Sequence, residues 1–292
     1  MPSAESRCDV IGVDIDFYKS FVIVPVGDVH YNAPMFARDA WNQWRAKWRA
    51  RIKAGENVWF LGMGDYLETL SGSERKAMQA VHESTQEWMD EHISKDVSAL
   101  AKDLDFTKGR WFGWITGNHE YVTGDGFTTA ELLARALGGS ALGVEAWIRL
   151  HLRHTKGASL MRNFDIYAHH GVGGGVLAGS TLNAIEKAAQ WANVDLVLMG
   201  HHHAIATSII ERVSISGAGE NLRLKARPVR LCRTGSFLKS HEPGRNSYAT
   251  RRALRPATLG SPEVGVRLYV QSEKCDDGKY RNNYHLLTEV TM

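Results

Sequence analysis

The sequence predicts an α/β layered fold, and three observations carry that prediction. Short β-type runs recur along the N-terminal two thirds of the chain, each ends in polar, Gly-flanked residues, and helical stretches lie between them. The runs are Phe21–Val26 before Gly27-Asp28, Val58–Leu61 before Gly64-Asp65, Trp111–Thr116 before Gly117-Asn118, Phe164–Ala168 before His169, and Val194–Met199 before Gly200-His201. In such folds, sites form beyond the carboxyl ends of the strands, which is where these polar residues fall.

The helical stretches show apolar residues at three- and four-residue spacing. They are Met35–Ala54, which includes Trp41, Trp44 and Trp48, then Ser73–Leu104 and Gly179–Ala192. Residues 121–154 hold a Gly-rich stretch, a helix candidate at Thr128–Leu137 and a Trp147-containing segment, and are expected to be an insertion near the site. After Ala204 the pattern becomes β-like, in Ala204–Ile215, Asn221–Cys232, Val264–Gln271 and Tyr284–Val290. Residues 204–292 therefore read as a basic, β-rich C-terminal part forming a second sheet within a single domain over 1–292. No period of repeat length is visible.

Composition narrows the class. A chain of 292 residues with 43% hydrophobic and 23% charged residues can bury a sizeable core. Its apolar runs, such as Asp9–Ile15, are too short to cross a bilayer, and no basic region followed by an apolar stretch opens the sequence, so a cytoplasmic protein without a membrane segment is expected. Cys8, Cys232 and Cys275 are odd in number, far apart and outside any CxxC spacing, which argues against a disulfide framework and a thiolate metal site. The net charge of +3 is unevenly spread: between Asn221 and Pro256 there are ten Lys/Arg against the single acid Glu242. A basic surface there suits a polyanion. No protein partner is evident.

The strand ends read Gly27-Asp28-Val29-His30, Gly64-Asp65-Tyr66-Leu67-Glu68, Gly117-Asn118-His119-Glu120, His169-His170-Gly171 and Gly200-His201-His202-His203. A lone Gly-Asp is a turn and a lone His a hydrogen-bonded structural residue. Five such pieces at five strand ends are not explained by turns and point to a metal site. Oxygen and imidazole donors without sulfur suit Mn²⁺, Fe, Zn²⁺, Co²⁺ or Ni²⁺. The two-residue spacing of Asp28 and His30, and of His201 and His203, projects each pair to one side of an extended strand and leaves His202 pointing away.

The ordered set resembles the calcineurin-like metallophosphoesterase superfamily over roughly Val22 to Ser236. The resemblance implies a four-layer α/β/β/α sandwich of two mixed sheets flanked by helices, with two divalent transition metal ions, Mn²⁺ favoured, at one edge. It implies Asp28, His30, Asp65 and His203 around one metal and Asp65, Asn118, His169 and His201 around the other, bridged by Asp65. His170 is the alternative to His169: a His-x-Gly pattern selects His169, the preferred reading, and a His-Gly-Gly pattern selects His170. His119 is the expected general acid or transition-state stabiliser. Glu68 and Glu120 are candidates to orient imidazoles by hydrogen bonds.

Two such cations would support in-line attack of a bridging hydroxide on phosphorus. Family members that hydrolyse phosphoproteins carry arginines beside these motifs, which clamp a dianionic monoester; here Glu68-Thr69 and Ile115-Thr116 stand at those places. A phosphodiester carries one charge at phosphorus, so a phosphodiesterase is the first expectation, with nuclease action on DNA or RNA within its reach. A phosphomonoesterase and a non-catalytic metal-binding scaffold are the alternatives. Thr234-Gly235-Ser236-Phe237-Leu238-Lys239, with Tyr248, Pro256 and Leu259-Gly260, resembles the tail of small phage and bacterial phosphoesterases. It would return to the site and line a substrate groove with Arg233, Lys239 and Arg245, near Trp111, Trp114 and Tyr121, aromatics that also suit a core.

Overall fold

The computed structural model describes residues 8–16, 20–69, 85–153, 161–173, 178–219, 222–251, 253, 255–256, 258–274, 278 and 280–292. Two six-stranded mixed sheets pack face to face. The first takes β1 (Cys8–Asp16), β6 (Glu145–Arg153), β7 (Met161–His169), β8 (Leu196–Met199), β10 (Arg223–Thr234) and β9 (Ile205–Ser216), in that spatial order. The second runs β12 (Tyr280–Thr291), β11 (Glu263–Lys274), β2 (Ser20–Val26), β3 (Val58–Gly62), β4 (Trp111–Trp114) and β5 (Ser140–Ala141). Strands β2, β3, β4 and β5 are parallel neighbours, as are β7, β8 and β10, so their carboxyl ends gather at one edge.

The central strands are apolar on both faces because both faces are covered. In β3, Val58 and Phe60 join the core beneath the helices, while Trp59 and Leu61 face the other sheet. In β8, Leu196 and Leu198 face between the sheets, and Val197 and Met199 face the helix outside. Helices α1 (Arg38–Lys53), α2 (Thr85–Asp103) and α3 (Thr129–Leu137) cover the second sheet, and α4 (Ala178–Trp191) covers the first. The order is the four-layer α/β/β/α sandwich that the resemblance implied.

Trp41, Trp44 and Trp48 point from α1 into the core, with Trp41 and Trp44 stacked at 5.0 Å. Asp103 ties this helix to the chain after β2, accepting from Trp41 Nε1 at 3.0 Å and from Tyr31 OH at 3.1 Å. Thr128 and Glu131 cap α3 reciprocally. A short helix α5 (Tyr248–Arg251) follows β10.

One expectation differs from what is observed, and others are located by the structure. The described residues of the segment expected to be an insertion, 121–153, supply α3, edge strand β5 and β6, which sits between β1 and β7. The C-terminal strands do not form a sheet of their own. β9 and β10 extend the first sheet and β11 and β12 the second, because strand pairing is decided by contacts distant in sequence. The first part of the helix expected at Ser73–Leu104, residues 73–84, lies outside the described residues, as does Cys275; the described part is α2. No helix among the described residues is long and apolar enough to cross a membrane.

Candidate metal centre

Asp28, Asp65, Asn118, His170 and His201 each follow the carboxyl end of a strand, and the parallel order brings them together. Asp28, His30 and His203 form one group able to hold a cation, and Asp65, His170 and His201 a second; within each, the donor atoms lie within 4.8 Å of one another. Asn118 Oδ1 belongs with the second group, 2.9 Å from His170 Nε2 and 2.8 Å from His201 Nδ1. Asp65 Oδ2 stands between the two, 3.3 Å from His170 Nε2 and 4.0 Å from His30 Nε2.

The backbone here adopts conformations that side chains disfavour. Asp28, His30, Asp65, His201 and His203 have φ of 47°, 46°, 49°, 71° and 52°, in the left-handed region, and Ala253 is the one other described non-glycine residue with positive φ. Such strain costs about 1–3 kcal/mol per residue and persists only where neighbours enforce it. The enforcing contacts are visible: the Asp65 carbonyl accepts from Val29 N at 2.9 Å and His30 N at 3.1 Å, and Asp28 N donates to the Gly64 carbonyl at 3.0 Å. Asp28 and His30 therefore converge through a turn beyond β2, and not through the extended spacing read from the sequence. Gly64, at φ 91°, is needed twice over, since a Cβ there would also lie 2.6 Å from His170 Nδ1.

Electrostatics match the pairing. Burial acts to raise the Asp65 carboxyl, but the His170 imidazole, then His30 and His119, overcome it and hold it below the usual range. Burial acts against a protonated His170, yet Asp65, Asp28 and the Met63 carbonyl push it up to about 9. Asp28 and His203, 3.3 Å apart, shift in the same opposed way, the carboxyl down and the imidazole up against the effect of burial. Burial lowers His201 and His202.

The sequence preferred His169, and the structure brings His170 to the cluster instead. His169 is the last residue of β7 and follows the facing of Tyr167, its ring 6.4 Å from that residue and its Nδ1 accepting from Gly171 N at 2.7 Å. His170, one residue on, turns inward and donates from Nδ1 to the Met63 carbonyl at 2.8 Å. That bond leaves Nε2 as the donor atom toward a cation.

His119 stands beside the cluster. Its backbone N donates to Asp65 Oδ1 at 2.9 Å, and its Nδ1 donates to the Thr69 carbonyl at 2.9 Å. Glu68 lies 2.6 Å from His30 Nδ1 and 3.4 Å from His119 Nδ1, so it is placed to orient both rings. Burial opposes ionisation of Glu68, and His30 with His119 holds its carboxyl low. Glu120 does not share that place: it is buried against α3, accepting from Thr129 Oγ1 and from Ala130 N.

The basic residues expected in a substrate groove are engaged elsewhere. Arg233 is 1% exposed and donates from Nη1 to the Gly200 carbonyl at 2.8 Å, and burial lowers it to about 10. Lys239 and Arg245 both pair with Glu242, and Arg245 also donates to the Pro34 carbonyl. The segment that carries them does return to the site, for Phe237 N and Ser236 Oγ both donate to the Asp28 carbonyl. Trp111, Trp114 and Tyr121 are core residues. Sequence reading missed Asn32, whose side chain clamps the backbone of Glu68, accepting from its N–H at 2.6 Å and donating to its carbonyl at 3.2 Å. Nothing in its neighbourhood in the sequence signals that role.

The donor set fits divalent transition metals. It combines carboxylate, amide and imidazole groups without thiolate, and it includes the buried His30 Nε2, which makes no hydrogen bond.

No protein-family model and no curated protein matches the chain. Among solved structures, it is similar to Vps29 of Chaetomium thermophilum, at 12% identity over 92% of this chain and 97% of that one, with a TM-score of 0.34. It is also similar to a conserved uncharacterized protein, a predicted phosphoesterase, of Streptococcus pneumoniae TIGR4, at 10% identity over 93% of this chain and 97% of that one, with a TM-score of 0.33. Likenesses at these values carry no weight for function. The α/β/β/α architecture stands on its own strand order and packing.

Proposed function

We propose that this protein is a phosphoesterase that binds two divalent transition metal ions and hydrolyses phosphodiesters. One observation supports this reading above the others: two adjoining donor groups, Asp28/His30/His203 and Asp65/His170/His201 with Asn118, share the Asp65 carboxylate between them. His170 takes the place given to His169 in the sequence reading. Mn²⁺ is the favoured ion, with Fe, Zn²⁺, Co²⁺ and Ni²⁺ compatible with the same donors. Cations bound there would make water acidic enough to supply a nucleophile near neutral pH and would neutralise the phosphate oxygens.

The chain's own groups do the rest. His119, fixed through its Nδ1, keeps Nε2 to donate a proton or a hydrogen bond to the departing oxygen. Glu68 steadies His119 and His30 together, and Asn32 holds the backbone of Glu68. No guanidinium clamps the substrate from Arg233, which is turned to a backbone carbonyl. A singly charged diester needs such a clamp less than a dianionic monoester does.

Hydrolysis of a bis-aryl phosphodiester and of its aryl monoester, with Mn²⁺, Co²⁺, Ni²⁺ or Zn²⁺ added to metal-stripped protein, tests the reading. Faster diester cleavage is expected. Faster monoester cleavage would make the protein a phosphomonoesterase, and no turnover with any of the ions would end the enzyme reading.

A further inference from the structure

Three cations of the basic stretch singled out in the sequence already have partners in the fold. Arg233 is buried, and Lys239 and Arg245 pair with Glu242. Among the other cations of this stretch, Arg223, Lys225 and Arg227 stand on β10 before it joins β8. Only residues 230–233 of β10 pair with β8, so residues 223–229 continue beyond the sheet with β9 as their partner, as a two-stranded ribbon.

Alternation sorts the side chains of this ribbon into two faces. Arg227 lies opposite Arg212, Lys225 opposite Ser214 and Arg223 opposite Ser216, so four cations share one face. The other face carries Val213, Ile215 and Leu224, all exposed. The basic face and the end of α4 enclose a cleft of about 610 Å³. Its lining includes Arg212, Lys225, Arg227, Gln190, Asn193 and Ser214 and, among the described residues, no carboxylate.

Two arginines directly opposite on a ladder repel each other. Here each is pinned: Arg212 donates to the Ala189 carbonyl, and Arg227 to Asn193 Oδ1 at 2.6 Å and Asp195 Oδ1 at 3.2 Å. Asp195 offsets one charge of the four. Arg223 and Lys225 are exposed. Along β10, successive cations stand about 6.7 Å apart, a regular spacing that suits a ligand with regularly repeated negative charge.

We propose that the basic face of the β9–β10 ribbon, with the cleft beneath it, binds the phosphodiester backbone of a nucleic-acid strand. The choice of nucleic acid among polyanions rests on the phosphodiesterase reading. The surface lies well away from the metal centre: Arg227 is seven residues before the end of β10, about 23 Å along the strand. It therefore holds the strand by its backbone while another stretch meets the metals, and it favours long substrates over mononucleotide diesters.

Fluorescence anisotropy of a labelled single strand of ~20 nucleotides, in EDTA so that nothing is cleaved, tests this. Wild-type protein should bind with an affinity that falls steeply with salt. Arg223→Gln/Lys225→Gln should bind roughly tenfold or more weakly, with a salt slope shallower by about 1.4, and Lys225→Gln alone should fall between. Unchanged thermal melting establishes that the variants are folded. Equal affinity and slope in all three proteins, or no binding by the wild type, overturns the proposal. Polyglutamate displacing the strand as well as unlabelled DNA does overturns the nucleic-acid assignment. Because binding is read without turnover, a protein that binds DNA but cleaves no diester contradicts the catalytic reading and not this one.

Discussion

Replacing Glu120 with glutamine should stabilise the protein at alkaline pH and leave it nearly unchanged in mild acid. Glu120 is 3% exposed, and burial raises its carboxyl from 4.5 to about 7, with the bonds from Thr129 and Ala130 opposing the rise and the charge of Asp65 adding to it. A carboxyl whose folded pKa lies above its unfolded one contributes stability through its protonated form. That contribution is complete below about 4.5 and is lost as the pH climbs through about 7. At about 1.4 kcal/mol per tenfold change in acidity, the loss is on the order of 3 kcal/mol by pH ~8. The amide of the Glu120→Gln variant offers the same carbonyl oxygen to Thr129 and Ala130 and cannot ionise. Urea unfolding of metal-stripped wild type and Glu120→Gln at pH ~5 and ~8 should show the variant gaining on the order of 3 kcal/mol between the two. A difference that does not change with pH, or a variant that loses ground at pH ~8, would refute the assignment of a strained, buried carboxylate.

Other perturbations have equally definite outcomes. His119→Ala should keep its bound metal, measured by mass spectrometry of the metal content, and lose about 10²–10⁴ in turnover of a bis-aryl diester. Gly117→Ala places a Cβ against the Asp65 carboxylate and amide and should abolish metal binding, read by the same analysis. Trp41→Ala removes a fully buried ring that packs on Trp44 and Phe237 and should cost about 3–5 kcal/mol in urea unfolding.

What the sequence made legible was local. Each proposed ligand follows a short apolar strand, so Asp28, Asp65, Asn118 and His201 could be read as candidates from neighbours within a few residues. The helix carrying Trp41, Trp44 and Trp48 was legible for the same reason. What required the structure was register and long-range pairing. The choice between His169 and His170 depends on where β7 ends, because one residue of register moves a side chain from the face of Tyr167 to that of Met63 and Asp65. Glu120 reads as a partner of the imidazoles by its place after His119, and only the approach of α3 turns it away. The division of β9 to β12 between two sheets depends on partners up to hundreds of residues distant: Val264 pairs with Ile23. The left-handed conformations of Asp28, His30 and Asp65 are imposed by carbonyls from other loops, and no residue preference announces them.

The most direct measurement is the number of divalent ions bound per chain in the wild type, His170→Ala and His169→Ala after mild purification and equilibration with Mn²⁺. Two ions are expected in the wild type and in His169→Ala, with at least one lost in His170→Ala. Full occupancy in His170→Ala together with loss in His169→Ala would contradict the arrangement of donors around Asp65, and a wild type that binds no ion would contradict the metal centre itself.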